Sequence, residues 1–225
     1  MFGKNKILKP DNHSGESLDI VEIFPTLQGE GPYAGRPAVF VRLGGCNLAC
    51  EFCDTEFEKY QNLSVDNISQ EVSSLAKNND GEIVRNLVVI TGGEPLRQPI
   101  ETLCRKLQGL NFLVQIETNG TLFRDLPEGV KVICSPKITN GKYHKIRPDL
   151  LNKIDALKFI ISKGDKSYYH VGDVGQSDLQ IPIYLQPMDE YDKIKNKANL
   201  HYAAQLCQDK GHLLSVQIHK ILKIR

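Results

Sequence analysis

The chain has 225 residues, 40% of them hydrophobic, and this is long enough to bury a full core as one domain. Its 28 lysines and arginines nearly balance 27 aspartates and glutamates, so with a net charge of +1 no overall field draws the chain to nucleic acid or to a membrane surface. The apolar runs are the length of strands, too short to span a bilayer. Residues 1–17 are polar and lack the apolar segment of a signal peptide, so we expect a loose arm there and a single domain over 18–225.

Apolar runs and helical spacing predict alternating strands and helices along this domain. The Gly- and Pro-rich stretch at 25–32 is expected to be a loop that follows the first strand. Strands are predicted at 18–24, 38–43, 86–90, 112–116, 130–134, 156–161, 181–185 and 213–218. Helices are predicted at 64–77, with Asp66 or Asn67 as cap, around the stripe from Leu96 to Leu107, and at 191–209, closed by Gly211.

The order of these elements predicts an α/β fold. Repeated strand, loop and helix units favour a mainly parallel sheet. The polar and Gly-rich clusters all follow a strand, which is typical of an active site at the carboxyl ends of the strands. Only about three crossovers are long enough for a helix, and a full eight-fold barrel needs about 250 residues. We therefore expect an incomplete TIM-like barrel with few helices.

Three cysteines with the spacing C-x3-C-x2-C directly follow the predicted strand at 38–43. Three converging thiolates bind a soft metal centre well. A structural zinc site or an electron-transfer cluster normally has a fourth protein ligand, whereas a [4Fe-4S] cluster held by three thiolates keeps one iron open. A zinc knuckle with a distant histidine is the alternative, and a disulfide is disfavoured because nothing indicates export, which also favours the cytoplasm. The cluster ligands are predicted to be Cys46, Cys50 and Cys53, while Cys104, Cys134 and Cys207 are scattered singly.

This spacing, with an aromatic residue before the last cysteine, resembles that of the radical S-adenosylmethionine (SAM) superfamily. The resemblance implies that the open iron binds the methionine end of SAM and that an electron releases a 5′-deoxyadenosyl radical. TGGEP at 91–95 is similar to the superfamily motif that contacts the SAM amino group, although alone it also reads as a turn and helix start. SPK at 135–137 and QPMD at 186–189 read equally as ordinary loops from spacing alone. The SAM contacts expected are Phe52, Cys53, Asp54, Gly93, Ser135, Pro136, Lys137, Gln186, Pro187, Met188 and Asp189.

Motifs from residue 22 to residue 220 resemble more narrowly those of the 7-carboxy-7-deazaguanine synthase family. They are EIFPTLQGEG, GRPAVFVRLGGCNLACEFCDTEF, TGGEP, ETNGT, SPK, QPMD and QIHK. The resemblance implies a lyase that converts 6-carboxy-5,6,7,8-tetrahydropterin to 7-carboxy-7-deazaguanine with loss of ammonia, a step toward queuosine and other deazapurines. It also implies a homodimer and a reducing partner such as flavodoxin or ferredoxin. The radical would take hydrogen from the pterin carbon that bears the carboxylate, so no catalytic side chain is expected.

A substrate site is expected mainly at LQGEG. A pterin has a guanine-like edge of donors and acceptors, which this segment can bind, and Arg42 is a permanent cation suited to a carboxylate. The resemblance implies that Mg2+ is held by Thr55, which by sequence alone reads as a cap or turn residue. Glu117 and Asn119 of ETNGT are expected to hold loops together. The predicted substrate contacts are Leu27, Gln28, Gly29, Glu30, Arg42 and Thr91.

Two alternative functions stay open at this point. A glycyl-radical-enzyme activase shares the cysteine spacing, but it needs a surface for a protein substrate and has no reason to carry LQGEG with Arg42. A non-catalytic zinc or iron–sulfur binding module belongs to another class. Metal content distinguishes this binding module from a radical SAM enzyme, since about four irons and four sulfides per chain indicate the enzyme's cluster and one zinc indicates the module.

Overall fold

The computed structural model describes residues 5–50, 53 and 55–224. In these ranges the strands are β1 (Ser17–Leu27), β2 (Pro37–Leu43), β3 (Gln61–Ser64), β4 (Leu87–Gly92), β5 (Leu113–Thr118), β6 (Lys131–Cys134), β7 (Ile138–Thr139), β8 (Lys142–Tyr143), β9 (Ala156–Ile161), β10 (Ile183–Pro187) and β11 (Leu213–Leu214). The α-helices are α1 (Val65–Leu75), α2 (Glu101–Gly109), α3 (Pro148–Leu151), α4 (Lys193–Lys210) and α5 (Ile218–Leu222). None of these helices has the length and apolar composition needed to cross a lipid bilayer.

The strands form one open sheet in the order β11-β10-β9-β6-β5-β4-β2-β1-β3, with β7 and β8 as a separate hairpin. From β2 through β11 the neighbours in this sheet are parallel, while β1 is antiparallel to both β2 and β3. The sheet ends at β11 and β3 instead of closing. The predicted incomplete TIM-like barrel is thus confirmed, and the antiparallel β1 and β3 are an addition to the expected parallel strands.

The central strands are buried on both faces. In β4, Val88 and Ile90 pack into the main core with Ile68 of α1, whereas Leu87 and Val89 belong to a second apolar cluster on the opposite face. A strand covered on both sides reads as a continuous apolar run, which is why the sequence at 86–90 predicts a strand without any alternation.

The helix predictions hold for α1 and α4. Helix α1 begins after Ser64, whose Oγ accepts a hydrogen bond from the Asn67 N–H at 3.2 Å, so the predicted caps Asp66 and Asn67 are wrong because they lie inside the first turn. Helix α4 ends as predicted at Gly211, which has a φ of 70°.

The expected loop at 25–32 begins too early. Pro25 and the two residues after it continue β1, where Pro25 pairs with Val39 of β2. Strand β3 pairs with β1 only from Ser17 to Ile20, so at Pro25 that side of β1 has no neighbouring strand among the described residues. A proline without an N–H is tolerated at such an edge.

The predicted strand at 213–218 is also too long. Only Leu213 and Leu214 form β11, and the Ile218 N–H then donates to the Gly29 carbonyl at 3.1 Å where α5 begins. The apolar spacing of this stretch suits either element, and a contact 189 residues away along the chain selects the helix.

The described part of the N-terminal arm lies against the domain. The Leu8 N–H donates to the Cys46 carbonyl at 2.8 Å, and Ile7 forms a parallel bridge with Cys46. Asp11 pairs with the buried Arg97, whose Nη2 also donates to the Gly44 carbonyl at 3.1 Å. The boundary at residue 17 stays a prediction.

Candidate active site

The carboxyl ends of the parallel strands surround a cavity of about 380 Å³. Segments that are far apart in the sequence meet there because these strand ends lie at the same edge of the sheet. Gly29 and Pro136 are absent from the cavity lining, and Phe52 and Asp54 lie outside the described residues. The predicted site residues that line the cavity are Leu27, Gln28, Glu30, Arg42, Cys46, Cys50, Cys53, Thr55, Thr91, Gly93, Ser135, Lys137, Gln186, Pro187, Met188 and Asp189.

The cysteine loop packs directly on the TGGEP loop. The Gly93 N–H donates to the Leu43 carbonyl at 3.1 Å, and the Glu94 N–H donates to the Gly45 carbonyl at 3.0 Å. A Cβ on Gly93 would lie 1.9 Å from the Gly45 carbonyl oxygen, and one on Gly92, whose φ is +128°, would lie 2.2 Å from the Leu43 oxygen. The two glycines therefore let the TGGEP backbone approach the backbone of residues 43–46 closely, whereas the sequence suggested only close approach to a ligand.

Three thiols face this cavity. Burial raises the pKa of Cys46 to about 12 and also raises that of Cys50, where the positive charge of Lys137 acts in the opposite direction. Among the described residues, no three histidine, cysteine or acidic side chains form a preformed site for a single metal ion. Three cysteines around one cavity still match the donor set of an iron–sulfur cluster, and binding iron would displace the thiol protons.

Glu94, which the sequence did not single out, ties the site loops together. This fully buried carboxylate accepts hydrogen bonds from the Thr118 hydroxyl at 2.7 Å and from the Asn119 N–H at 2.7 Å. Burial raises the pKa of Glu94, and these hydrogen bonds oppose the rise. Asn119 donates in turn to Asn47 of the cysteine loop at 3.0 Å, which agrees with the loop-holding role expected for Asn119.

The SPK and QPMD segments lie at the ends of β6 and β10. Lys137 donates to the Ser135 hydroxyl at 2.7 Å, and the Met188 N–H continues the sheet by donating to the Ile161 carbonyl at 2.8 Å. Asp189 is partly buried, which acts to raise its pKa, but hydrogen bonds led by the one from Lys220 lower it. Gln186 is buried, and its Oε1 has no hydrogen-bond partner within the described part of the chain.

LQGEG is held from one side by the C-terminal helix. A Cβ on Gly29 would lie 2.0 Å from Nδ1 of His219, so the imidazole occupies the space that a larger residue would need. His219 and Lys220 of α5 also line the cavity. In the sequence, QIHK is a motif of the family that predicts no role for these two residues.

A buried ion-pair cluster that the sequence analysis missed lies beside LQGEG. Lys158 of β9 contacts the carboxylates of Glu30 and Glu117. Glu117 also accepts a hydrogen bond from Gln28, a predicted substrate contact, at 2.9 Å. The available signal was a single lysine inside the apolar run of β9.

Arg42 and Thr55 meet at the cavity wall. Arg42 Nη1 donates to the Thr55 hydroxyl at 3.5 Å, while Arg42 Nε pairs with Glu22 at 2.8 Å. The guanidinium carbon also lies 5.7 Å from the centre of the Phe24 ring. These contacts hold a permanent cation at the cavity, next to the residue expected to bind Mg2+.

Comparisons with known proteins agree with this geometry. Residues 40–165 match the model of the radical SAM superfamily. The chain is 50% identical to the 7-carboxy-7-deazaguanine synthase of Rickettsia prowazekii (strain Madrid E), covering 100% of this chain and 96% of that one. It is 40% identical to the synthase of Rhodospirillum rubrum, with 100% of both chains covered.

A solved structure shows the same architecture. The crystal structure of QueE from Escherichia coli superposes with a TM-score of 0.72 at 25% identity, covering 89% of this chain and 94% of that one. Sequence and fold thus agree over nearly the whole length. The chain belongs to the radical SAM superfamily and, within it, to the 7-carboxy-7-deazaguanine synthase family.

Proposed function

We propose that this chain is the lyase that converts 6-carboxy-5,6,7,8-tetrahydropterin to 7-carboxy-7-deazaguanine with loss of ammonia. One observation carries the proposal: the cysteine loop, LQGEG and Arg42 line a single cavity in a chain of this family. When bound, a [4Fe-4S] cluster and SAM supply the radical that starts the ring contraction. The protein's own side chains bind and orient the reactants and exclude water.

The residues along the β4, β6 and β10 ends fit SAM. Gly93 lies next to the Cys46 backbone, where its carbonyl can accept from an ammonium group. The unpartnered Oε1 of buried Gln186 suits a donor such as an adenine amino group, because a buried acceptor without a partner costs free energy. Lys137, near both Cys50 and Ser135, suits a carboxylate.

The opposite wall fits a pterin carboxylate and its guanine-like edge. Arg42 supplies the cation and Gln28 and Glu30 supply polar contacts. Thr55 can contribute one oxygen to Mg2+, with the substrate carboxylate and waters as further ligands, in exchange for its contact with Arg42.

The cellular setting is inferred from the chemistry and the family. All six cysteines are free thiols, as a thiolate-held cluster in a reducing cytoplasm requires. Flavodoxin or ferredoxin would supply the electron, and reduction of the cluster by each purified donor tests this. A homodimer would elute with twice the chain mass of 25.3 kDa in size-exclusion chromatography with light scattering.

The decisive experiment incubates anaerobically reconstituted protein with SAM, Mg2+, a reductant and 6-carboxytetrahydropterin. We expect 7-carboxy-7-deazaguanine and ammonia in equal amounts. Cys50→Ala should abolish iron binding and product, while Cys207→Ala, which changes a cysteine on the core-facing side of α4, should keep both. Glycyl-radical formation in a partner enzyme without deazaguanine would favour the activase, and one bound zinc without iron would favour the binding module.

A further inference from the structure

The cluster around Lys158 has an unusual charge balance for a buried site. Lys158 is 4% exposed and is paired with two carboxylates, those of Glu30 and Glu117. Burial acts to lower the pKa of Lys158, and the two carboxylates raise it. Burial acts to raise the pKa of Glu30, but Lys158 and its other neighbours outweigh this and lower it to about 2. With both carboxylates ionised, the three side chains of this cluster carry one net negative charge.

Neutral amides surround the two carboxylates. Gln28 and Gln115 donate to Glu117 Oε1 at 2.9 and 3.0 Å, and Gln217 donates to Glu30 Oε1 at 2.8 Å. An ionised carboxylate has about four acceptor positions, so both groups keep acceptor capacity after these bonds.

The cluster faces the proposed substrate. Lys158, Glu30 and Glu117 all line the cavity that the cysteine loop also lines. The other charged or titratable groups near them are His219 of α5, which acts on Glu30, and Tyr184, the register partner of Lys158 on β10. The remaining charged side chains of the lining are Arg42, Lys137, Asp189 and Lys220.

We propose that Lys158 is a positioning residue that holds Glu30 and Glu117 side by side as one anionic acceptor, selecting ligands with a 2-amino-4-oxo, guanine-like edge. This inference rests on the proposed function. The edge offers N–H and NH2 donors in a row, which two fixed carboxylates can accept. Without Lys158, two partly buried carboxylates would repel each other and one would take up a proton. The Lys158 cation thus acts on the ligand through the two acceptor carboxylates with which it is paired.

The test measures binding, not turnover. Reconstituted, SAM-loaded enzyme without reductant is titrated calorimetrically with 7-carboxy-7-deazaguanine and with its analogue that lacks the 2-amino group, from pH 5.5 to 8. The wild type should prefer the amino ligand by at least about tenfold, since a charge-assisted hydrogen bond typically contributes at least that factor to affinity. This preference should change less than about twofold between pH 5.5 and pH 8.

Two variants separate positioning from a merely structural role. In Lys158→Met, affinity for the amino ligand should fall about tenfold more at pH 5.5 than at pH 8. At the lower pH one of the two carboxylates takes up a proton and accepts hydrogen bonds from the ligand less well. Glu117→Gln keeps one carboxylate for Lys158, folds without excess charge, and should lose the preference for the amino ligand. Lys131→Met, which removes a partly exposed ion pair between Lys131 of β6 and Asp155, is the control and should behave as wild type.

The outcomes distinguish the two proposals. A pH-dependent loss in Lys158→Met together with a lost preference in Glu117→Gln supports the positioning role. Equal losses at every pH in Lys158→Met, or a retained preference in Glu117→Gln, overturn it, while wild-type turnover of the pterin leaves the proposed function intact. A wild type that neither binds the amino ligand nor turns over the pterin overturns both.

Discussion

Replacing Gly93 by alanine tests whether the contact between the two loops builds the site. The added methyl would lie 1.9 Å from the Gly45 carbonyl oxygen, 2.4 Å from its carbon and 3.0 Å from the Cys46 nitrogen. All three are backbone atoms, which cannot rotate away as a flexible side chain can. The cysteine loop must therefore shift relative to β4.

The cost follows from these contacts. Overpacking of a well-packed site typically costs about 1–3 kcal/mol. Weakening the bond from the Glu94 N–H to the Gly45 carbonyl adds about 1 kcal/mol. We expect the free energy of unfolding to fall by roughly 2–4 kcal/mol, a large share of the 5–15 kcal/mol typical of a domain. Because the displaced loop carries Cys46, the protein should also retain less iron.

Urea unfolding of the metal-free protein and iron analysis after reconstitution measure the two effects. Gly109→Ala is the matched control, since nothing lies within 4 Å of its added methyl and the residue is in α2. That variant should be as stable as wild type or more so, by up to about 1 kcal/mol. If Gly93→Ala unfolds like Gly109→Ala and binds iron normally, the glycine is not needed for loop packing and this reasoning fails.

Three further predictions follow from single contacts. Asp11→Ala removes one of the partners of the buried Arg97 and should destabilise the protein by about 1–3 kcal/mol in urea unfolding. Asp125→Ala, whose ion pair is exposed, should leave the stability nearly unchanged, and equal effects of the two variants would refute the role of the arm. Thr55→Val should reduce the stimulation of product formation by Mg2+ at least tenfold, whereas Thr55→Ser, which keeps the hydroxyl, should retain the stimulation. Unchanged stimulation in Thr55→Val would show that Thr55 is not a Mg2+ ligand. The pKa of Glu30 is lower in the folded state, so its stabilisation is present above pH 4.5 and is lost as pH falls toward about 2; acid unfolding of Glu30→Gln should lack this component, and parallel wild-type and variant curves would contradict it.

Local patterns determined much of what could be predicted. The apolar run ending at Ile90 and the cysteine spacing from Cys46 to Cys53 depend only on neighbouring residues, so they indicate a buried strand and three metal ligands without a structure. The rule that polar clusters follow strands then places these motifs at one edge of the sheet. This is why the incomplete barrel and the general position of the cavity were predictable.

Local patterns also misled where a distant partner decides the conformation. Pro25 is a typical loop residue. It can continue β1 because β3 pairs with β1 only as far as Ile20, opposite Gln61, which leaves an edge at Pro25 in the described part of the chain. The stretch after Leu214 has a spacing that suits strand or helix, and the carbonyl of Gly29 selects the helix.

The sequence by itself determined the family and the parallel architecture and predicted the three cysteine ligands, because each depends on the identity and spacing of neighbouring residues. Only the tertiary structure revealed that Gly93 makes room for Gly45, that Glu94 ties the loops, and that Lys158 holds Glu30 and Glu117 together. Buried charges and close backbone contacts join strands that are far apart in the chain. Their partners are set by the order of strands in the sheet, which no short sequence window contains.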